Sequence, residues 1–110
     1  MSDGRLLAGL AALAQPIRLK LYRLLVEAGP EGSGPVAMSV AANIQRNLVS
    51  YHLQPLVAAG LVRSERRGRD VNYRVESAAL NRLAADLLGL SDWSSGHRSG
   101  GQVSRSSTSS

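Results

Sequence analysis

No cysteine and no phenylalanine occur in this chain of 110 residues, and its aromatic side chains are one tryptophan and three tyrosines. The missing thiols exclude disulfides, thiolate zinc sites and cysteine nucleophiles. With two histidines and scattered carboxylates, no acid–base or metal constellation emerges, which argues against an enzyme. Without phenylalanine the core must rest on Leu, Val, Ile and Ala. A chain of this length has a thin core, so a homodimer that covers spare Leu-rich faces is expected. No run is long and apolar enough to span a bilayer. The N-terminus lacks a basic segment followed by an apolar stretch and a cleavage site. The expectation is a cytoplasmic protein with no membrane partner.

Charge is what the chain has in excess. Thirteen basic residues face eight acidic ones, a net charge of +5. Five of the thirteen are arginines between Leu61 and Arg74, in Leu61-Val62-Arg63-Ser64-Glu65-Arg66-Arg67-Gly68-Arg69-Asp70-Val71-Asn72-Tyr73-Arg74. Clustered positive charge favours an anionic partner, nucleic acid above all. Gly68 supplies the positive φ of a tight turn. Val71, Tyr73 and Val75 alternate with polar residues at the period of a half-buried strand, so the stretch predicts a basic hairpin.

Upstream, Leu6, Leu7, Leu10 and Leu13 predict a first helix. Pro16 suits the first turn of a second helix, with Ile17, Leu21, Leu24 and Leu25 as its buried stripe and Arg18, Lys20 and Arg23 largely outside it. Residues 29–35 are a loop by composition. A short third helix is predicted over 36–44, with Val36, Met38 and Val40 apolar. The fourth helix, Arg46 to Ala59, has two unlike faces. Val49, Leu53, Leu56 and Val57 form a buried stripe. Asn47, Ser50, Tyr51 and Gln54 form an uncharged hydrogen-bonding stripe, the side-chain types that read base edges in a major groove. Gly60 ends this helix. Pro55 lies inside it, and the stripe that continues past the proline predicts a kinked helix, not two elements. His52 flanks the buried stripe as a packed or phosphate-contacting residue. A last helix is predicted from the cap Ser77 to Leu90, with Leu80, Leu83, Leu87 and Leu88 on one side.

A polar reading helix followed by a basic hairpin is the layout of a winged helix-turn-helix. The fold expected is mainly α with one small β-hairpin, and dimeric. Residues 1–90 form the winged-helix and dimerisation domain. Residues 91–110, of which nine are serine, form a Ser/Gly-rich tail expected to be disordered. The DNA-contacting set is Gln45, Arg46, Asn47, Ser50, Tyr51, His52 and Gln54 from the helix, with Arg66, Arg67 and Arg69 from the hairpin.

Three segments together resemble the ArsR/SmtB family of dimeric metal- or metalloid-responsive repressors. They are residues 14–25 (AQPIRLKLYRLL), residues 49–62 (VSYHLQPLVAAGLV), and Arg67-Gly68-Arg69 with Tyr73 after it. The resemblance covers about residues 5 to 90. It implies a five-helix winged domain whose first and last helices form the dimer interface, binding double-stranded DNA at an inverted-repeat operator. It also exposes departures. Relatives that sense through a Cys pair at the third helix would carry thiols near Gly34 to Val36, and zinc-binding relatives carry His and Asp on the last helix. Residues 78–90 hold no His and a single Asp, Asp86. Relatives that sense trivalent arsenic or antimony place adjacent cysteines just after the last helix and another shortly beyond. Ser94, Ser95 and Ser99 stand there in this chain, and hydroxyls are poor ligands for soft trivalent arsenic. The resemblance thus implies a repressor of a metalloid-resistance operon in a Cys-containing form. Two alternatives stay open: a winged-helix regulator that answers to an organic ligand, and an interaction module that does not bind DNA.

Overall fold

The computed structural model describes residues 3–98, with side chains to Ser91. In chain order they form α1 (Asp3–Leu13), α2 (Pro16–Ala28), a turn of 3₁₀ helix (Gly29–Glu31), α3 (Pro35–Ala42), α4 (Arg46–Ala58), the strands β1 (Val62–Arg67) and β2 (Asp70–Val75), and α5 (Ser77–Arg98). The strands pair antiparallel, from Val62 opposite Val75 to Arg67 opposite Asp70. This is the winged helix-turn-helix expected, with α3 and α4 as the helix-turn-helix and the hairpin as the wing. No helix among the described residues is long and apolar enough to cross a membrane.

The core lies among α2, α3 and α4. Leu21, Leu25, Met38, Val49, Leu53 and Leu56 are fully buried, and Tyr22, Leu61, Val62, Tyr73 and Leu83 close over them. The periodicity of α4 is therefore realised residue for residue, apart from Val57, which is only half-buried. Two other helices bury only part of the stripe expected: Leu6 and Leu13 of α1 and Met38 of α3 pack on the core, and the rest do not. In α1, Leu7 is 63% exposed, and Gly9 and Ala12 are the buried positions. The reason is close approach to α5, since a Cβ at Gly9 would lie 3.3 Å from a Leu83 methyl. In α3, Met38 and Ala42 are buried while Val36 and Val40 are exposed, Val40 by 77%. Residues two apart fall on opposite sides of a helix, so the every-second-residue run Val36, Met38, Val40 cannot share one buried face.

The helix ends are held by side chains that looked merely solvated. Gln15 caps α2, its Oε1 accepting from the Arg18 amide at 2.8 Å. Arg18 Nε donates to the Ala12 carbonyl at 2.6 Å, and Lys20 Nζ donates to that of Ala42 at 2.9 Å. Both cations sit where unsatisfied carbonyls and the helix dipole favour positive charge. The helix-turn-helix junction is fixed by Asn43, left-handed at φ 58°, and by Ser39 Oγ donating to the Ile44 carbonyl at 2.8 Å.

Pro55 does not divide α4, which continues to Ala58. Beyond it Gly60 (φ 78°) donates to the Val57 carbonyl and Leu61 to that of Leu56, each at 3.0 Å. This Schellman closure aims the chain into β1. The last helix runs eight residues past the expected Leu90, so its end at Arg98 corrects the boundary read from sequence. No proline stops it, Gly89 keeps a helical sign of φ, and serine is only mildly unfavourable in a helix.

The loop at residues 29–34 is part of the wing. Ser33 and Tyr73 exchange two backbone hydrogen bonds, at 2.8 and 2.9 Å, and Asn72 Nδ2 donates to the Glu31 carbonyl at 2.9 Å. Gly32 (φ 72°) makes this docking possible, because a Cβ there would lie 2.2 Å from the Tyr73 carbonyl oxygen. Gly32→Ala should therefore cost more than the ~1–3 kcal/mol of left-handed strain alone. Gly29→Ala (φ 73°), which meets nothing within 4 Å, should cost only that strain. Urea denaturation of the two variants checks this; equal losses would mean that the loop does not dock.

Candidate nucleic-acid interface

The start of α4 and the wing face each other across a groove of about 830 Å³. The buried stripe of α4 holds the helix on the core and leaves Arg46, Asn47 and Ser50 on the groove side. The hairpin contributes Arg67, Arg69, Asp70 and Asn72. The wing tip is a two-residue turn closed by Arg67 and Asp70, with positive φ at Gly68 and not at Arg69, the type II′ pattern. That geometry carries Arg67 and Arg69 to the groove.

The structure brings together five of the expected contact residues: Arg46, Asn47, Ser50, Arg67 and Arg69. The others lie around it. Tyr51 is 69% exposed further along α4, and Gln54 is exposed one turn beyond it. Gln45 is the exposed N-cap position of α4 and gives no side-chain cap. His52 is half-buried, its Nδ1 buried without a hydrogen-bond partner and its ring edge-on to Tyr51 at 5.1 Å between centroids. Arg66 is exposed on the opposite side of β1 from Arg67, across from Val71. Arg63 is taken up at the hairpin base, 2.7 Å from Glu76. Arg67 has only a long, exposed contact to Glu65, at 3.4 Å, worth little in solvent.

Asp70 and Asn72 were not among the candidates, yet both line the groove. Val71 and Tyr73 line it as well, so strand alternation alone would not have singled out Asp70 and Asn72. Three guanidinium groups against the single Asp70 carboxylate leave the groove positive, the footprint suited to a polyanion.

Among the described residues no group of three or more His, Cys, Asp or Glu could hold a metal ion. Burial raises the pKa of the Tyr22 phenol above its ordinary value. The backbones of Ser94 and Ser95 lie inside α5, not after it as expected, and Ser99 is outside the described residues. Three serine hydroxyls do not fit trivalent arsenic or antimony, which prefer thiolates.

Residues 13–65 match a family described as a helix-turn-helix domain. The chain is 38% identical over 79 residues to the HTH-type transcriptional repressor SmtB of Mycobacterium tuberculosis, an alignment covering 72% of this chain and 56% of that protein. Its fold is similar to an ArsR-like transcriptional regulator from Rhodococcus sp. RHA1, with TM-score 0.70 and 29% identity over 84% of this chain and 85% of that one. The chain belongs to the ArsR/SmtB family. It is also similar to the homodimeric winged helix-turn-helix DNA-binding domain of a possible ArsR-family regulator from Mycobacterium bovis. There the TM-score is 0.64 and the identity 25%, over 90% of this chain and 89% of that one. The chain spans 56% of the length of the SmtB relatives it matches. Within that fold, α4 is the second helix of the helix-turn-helix and β1 and β2 are its wing.

Proposed function

We propose that this ArsR/SmtB protein is a transcriptional repressor that binds an inverted-repeat operator as a homodimer. Each α4 enters a major groove and each wing lies on the flanking backbone or minor groove. The observation that carries this reading is the shared groove, where the polar start of α4 and two wing arginines face the same space. Asn47→Ala, Ser50→Ala, Tyr51→Ala and Gln54→Ala should each narrow the gap between operator and unrelated DNA, by ~1–3 kcal/mol where a good base contact is lost. Fluorescence anisotropy on matched duplexes measures it. Equal losses on every duplex would move base reading away from this face.

We further propose that a form with cysteines at positions 94, 95 and 99 would answer to trivalent arsenic or antimony and control a resistance operon. What supports this is the family resemblance and the spacing of the three serines. A ligand releases DNA only if it binds the free protein better than the bound one, and a chain without thiols offers trivalent arsenic no such preference. Arsenite should therefore leave operator binding by this chain unchanged, while Ser94→Cys/Ser95→Cys/Ser99→Cys should make binding arsenite-sensitive. The same anisotropy titration decides it; release from the cysteine-free chain, or none from the triple variant, would sink the metalloid reading.

A further inference from the structure

Asparagine is disfavoured in strands, yet Asn72 sits inside β2, on the wall of the DNA-facing groove. Its side chain is already engaged. Nδ2 donates to the Glu31 carbonyl at 2.9 Å, reaching across to the loop before α3. The fit there is close, because a Cβ at Gly32 would come within 2.6 Å of Nδ2. Residues directly opposite each other in a hairpin share a face, as do residues two apart along a strand. Asn72, opposite Glu65, therefore lies on the same face as Arg67 and Asp70, which oppose each other nearer the tip.

The core holds the other face of the hairpin, through Val62, Val71, Tyr73 and Val75. Residues 66–70 at the tip are exposed, and Arg67 and Arg69 among them reach the groove. The two backbone bonds between Ser33 and Tyr73 join a single pair of residues, so they resist tilting about that line poorly. The bond from Asn72 to Glu31 lies off the line and adds a second attachment to the same loop. From Tyr73 to Asp70 the strand spans about 10 Å, at ~3.3 Å per residue. A tilt of about 10° would carry the tip through roughly 2 Å, enough to break a hydrogen bond that needs about 3 Å between heavy atoms.

We propose that Asn72 is a positioning residue for DNA binding. It ties the face that carries Arg67 to the Glu31 carbonyl, and so fixes the pitch at which Arg67 and Arg69 meet phosphates. This role rests on the DNA-binding reading above; the tie itself does not.

The test places Asn72→Leu, which keeps the branched shape and loses the donor, in two backgrounds: the parent chain and Arg67→Ala/Arg69→Ala. Phosphate contacts carry no sequence information. The probe is therefore a fluorescein-labelled duplex of mixed sequence, on the order of 30 base pairs or three helical turns. In the parent chain Asn72→Leu should weaken binding about tenfold or more at ~0.1 M salt, the scale of one phosphate contact, and flatten the salt dependence. In the chain without the two wing arginines the same change should alter binding by less than about twofold, because the residue acts only through them. General loosening of the fold would lower binding in both backgrounds. Amide hydrogen exchange adds a readout without DNA. Asn72→Leu should speed exchange at Ser33 and Tyr73 while the urea midpoint stays near the parent's, since it removes one exposed hydrogen bond. Parent-like DNA binding by Asn72→Leu, or equal losses in both backgrounds, overturns the positioning role. Unchanged exchange at Ser33 and Tyr73 overturns the tie. A parent chain that binds no duplex defeats the DNA-binding reading, and the positioning role with it.

Discussion

Raising the salt concentration from about 50 to about 200 mM should weaken operator binding by on the order of 10³-fold. Three arginines, Arg46, Arg67 and Arg69, line each groove, so a two-fold dimer offers six for phosphate contact. Each phosphate neutralised releases counterions and adds about 0.9 to the slope of log affinity against log salt, giving a slope near −5. Arg67→Ala/Arg69→Ala removes four of the six in a dimer and should flatten the slope to about −2. The loss should be uniform across DNA sequences, because backbone contacts position without reading. Both arginines are exposed at the hairpin, so the variant should fold like the parent. Anisotropy at several salt concentrations provides the slopes. A flat slope in the parent would turn the protein into an interaction module with a solvated wing, and an unchanged slope in the variant would move the phosphate contacts elsewhere.

The second large effect concerns assembly. Leu7 of α1 and Leu88 of α5 are 63% and 64% exposed in one chain, and Leu87 and Leu90 add further apolar surface on α5. A leucine moved from water to a buried site is worth ~1.5–3 kcal/mol, and a two-fold interface counts each residue twice. Leu7→Glu/Leu88→Glu should therefore yield a folded monomer. The core should survive, because neither side chain is part of it. Operator affinity should fall by roughly 10²–10⁴-fold, since a monomer loses the second, effectively intramolecular half-site. Analytical ultracentrifugation and anisotropy on the same sample read both quantities. A double variant that remains a dimer would place the interface on another face.

The two faces of α4 and the wing were legible because their signals are local. The apolar stripe of α4 repeats at helical spacing, and Val49, Leu53 and Leu56 are buried where it says. The wing turn is marked by Gly68, whose positive φ is a property of a single residue. Pro55 shows a local rule overridden: the proline forfeits one helical hydrogen bond, but the stripe around it is packed well enough to keep the helix continuous.

Other features depend on how far apart elements approach, which residue order does not encode directly. Leu7 and Leu10 read as core, but α1 meets Leu83 of α5 at Gly9, because a residue without a side chain lets two helices come close. Lys20 reads as a solvated charge until folding brings the Ala42 carbonyl, 22 residues away, within 2.9 Å. Residues 29–34 read as a spacer, yet Ser33 pairs with Tyr73 only after the chain has turned through α3, α4 and β1. The groove follows the same logic. Periodicity and charge alone select Arg46, Asn47, Ser50, Arg67 and Arg69 as polar or basic residues on a helix and a hairpin. Packing on the shared core aims both elements at one space, adds Asp70 and Asn72 to its wall, and leaves Arg66 on the other side of the strand.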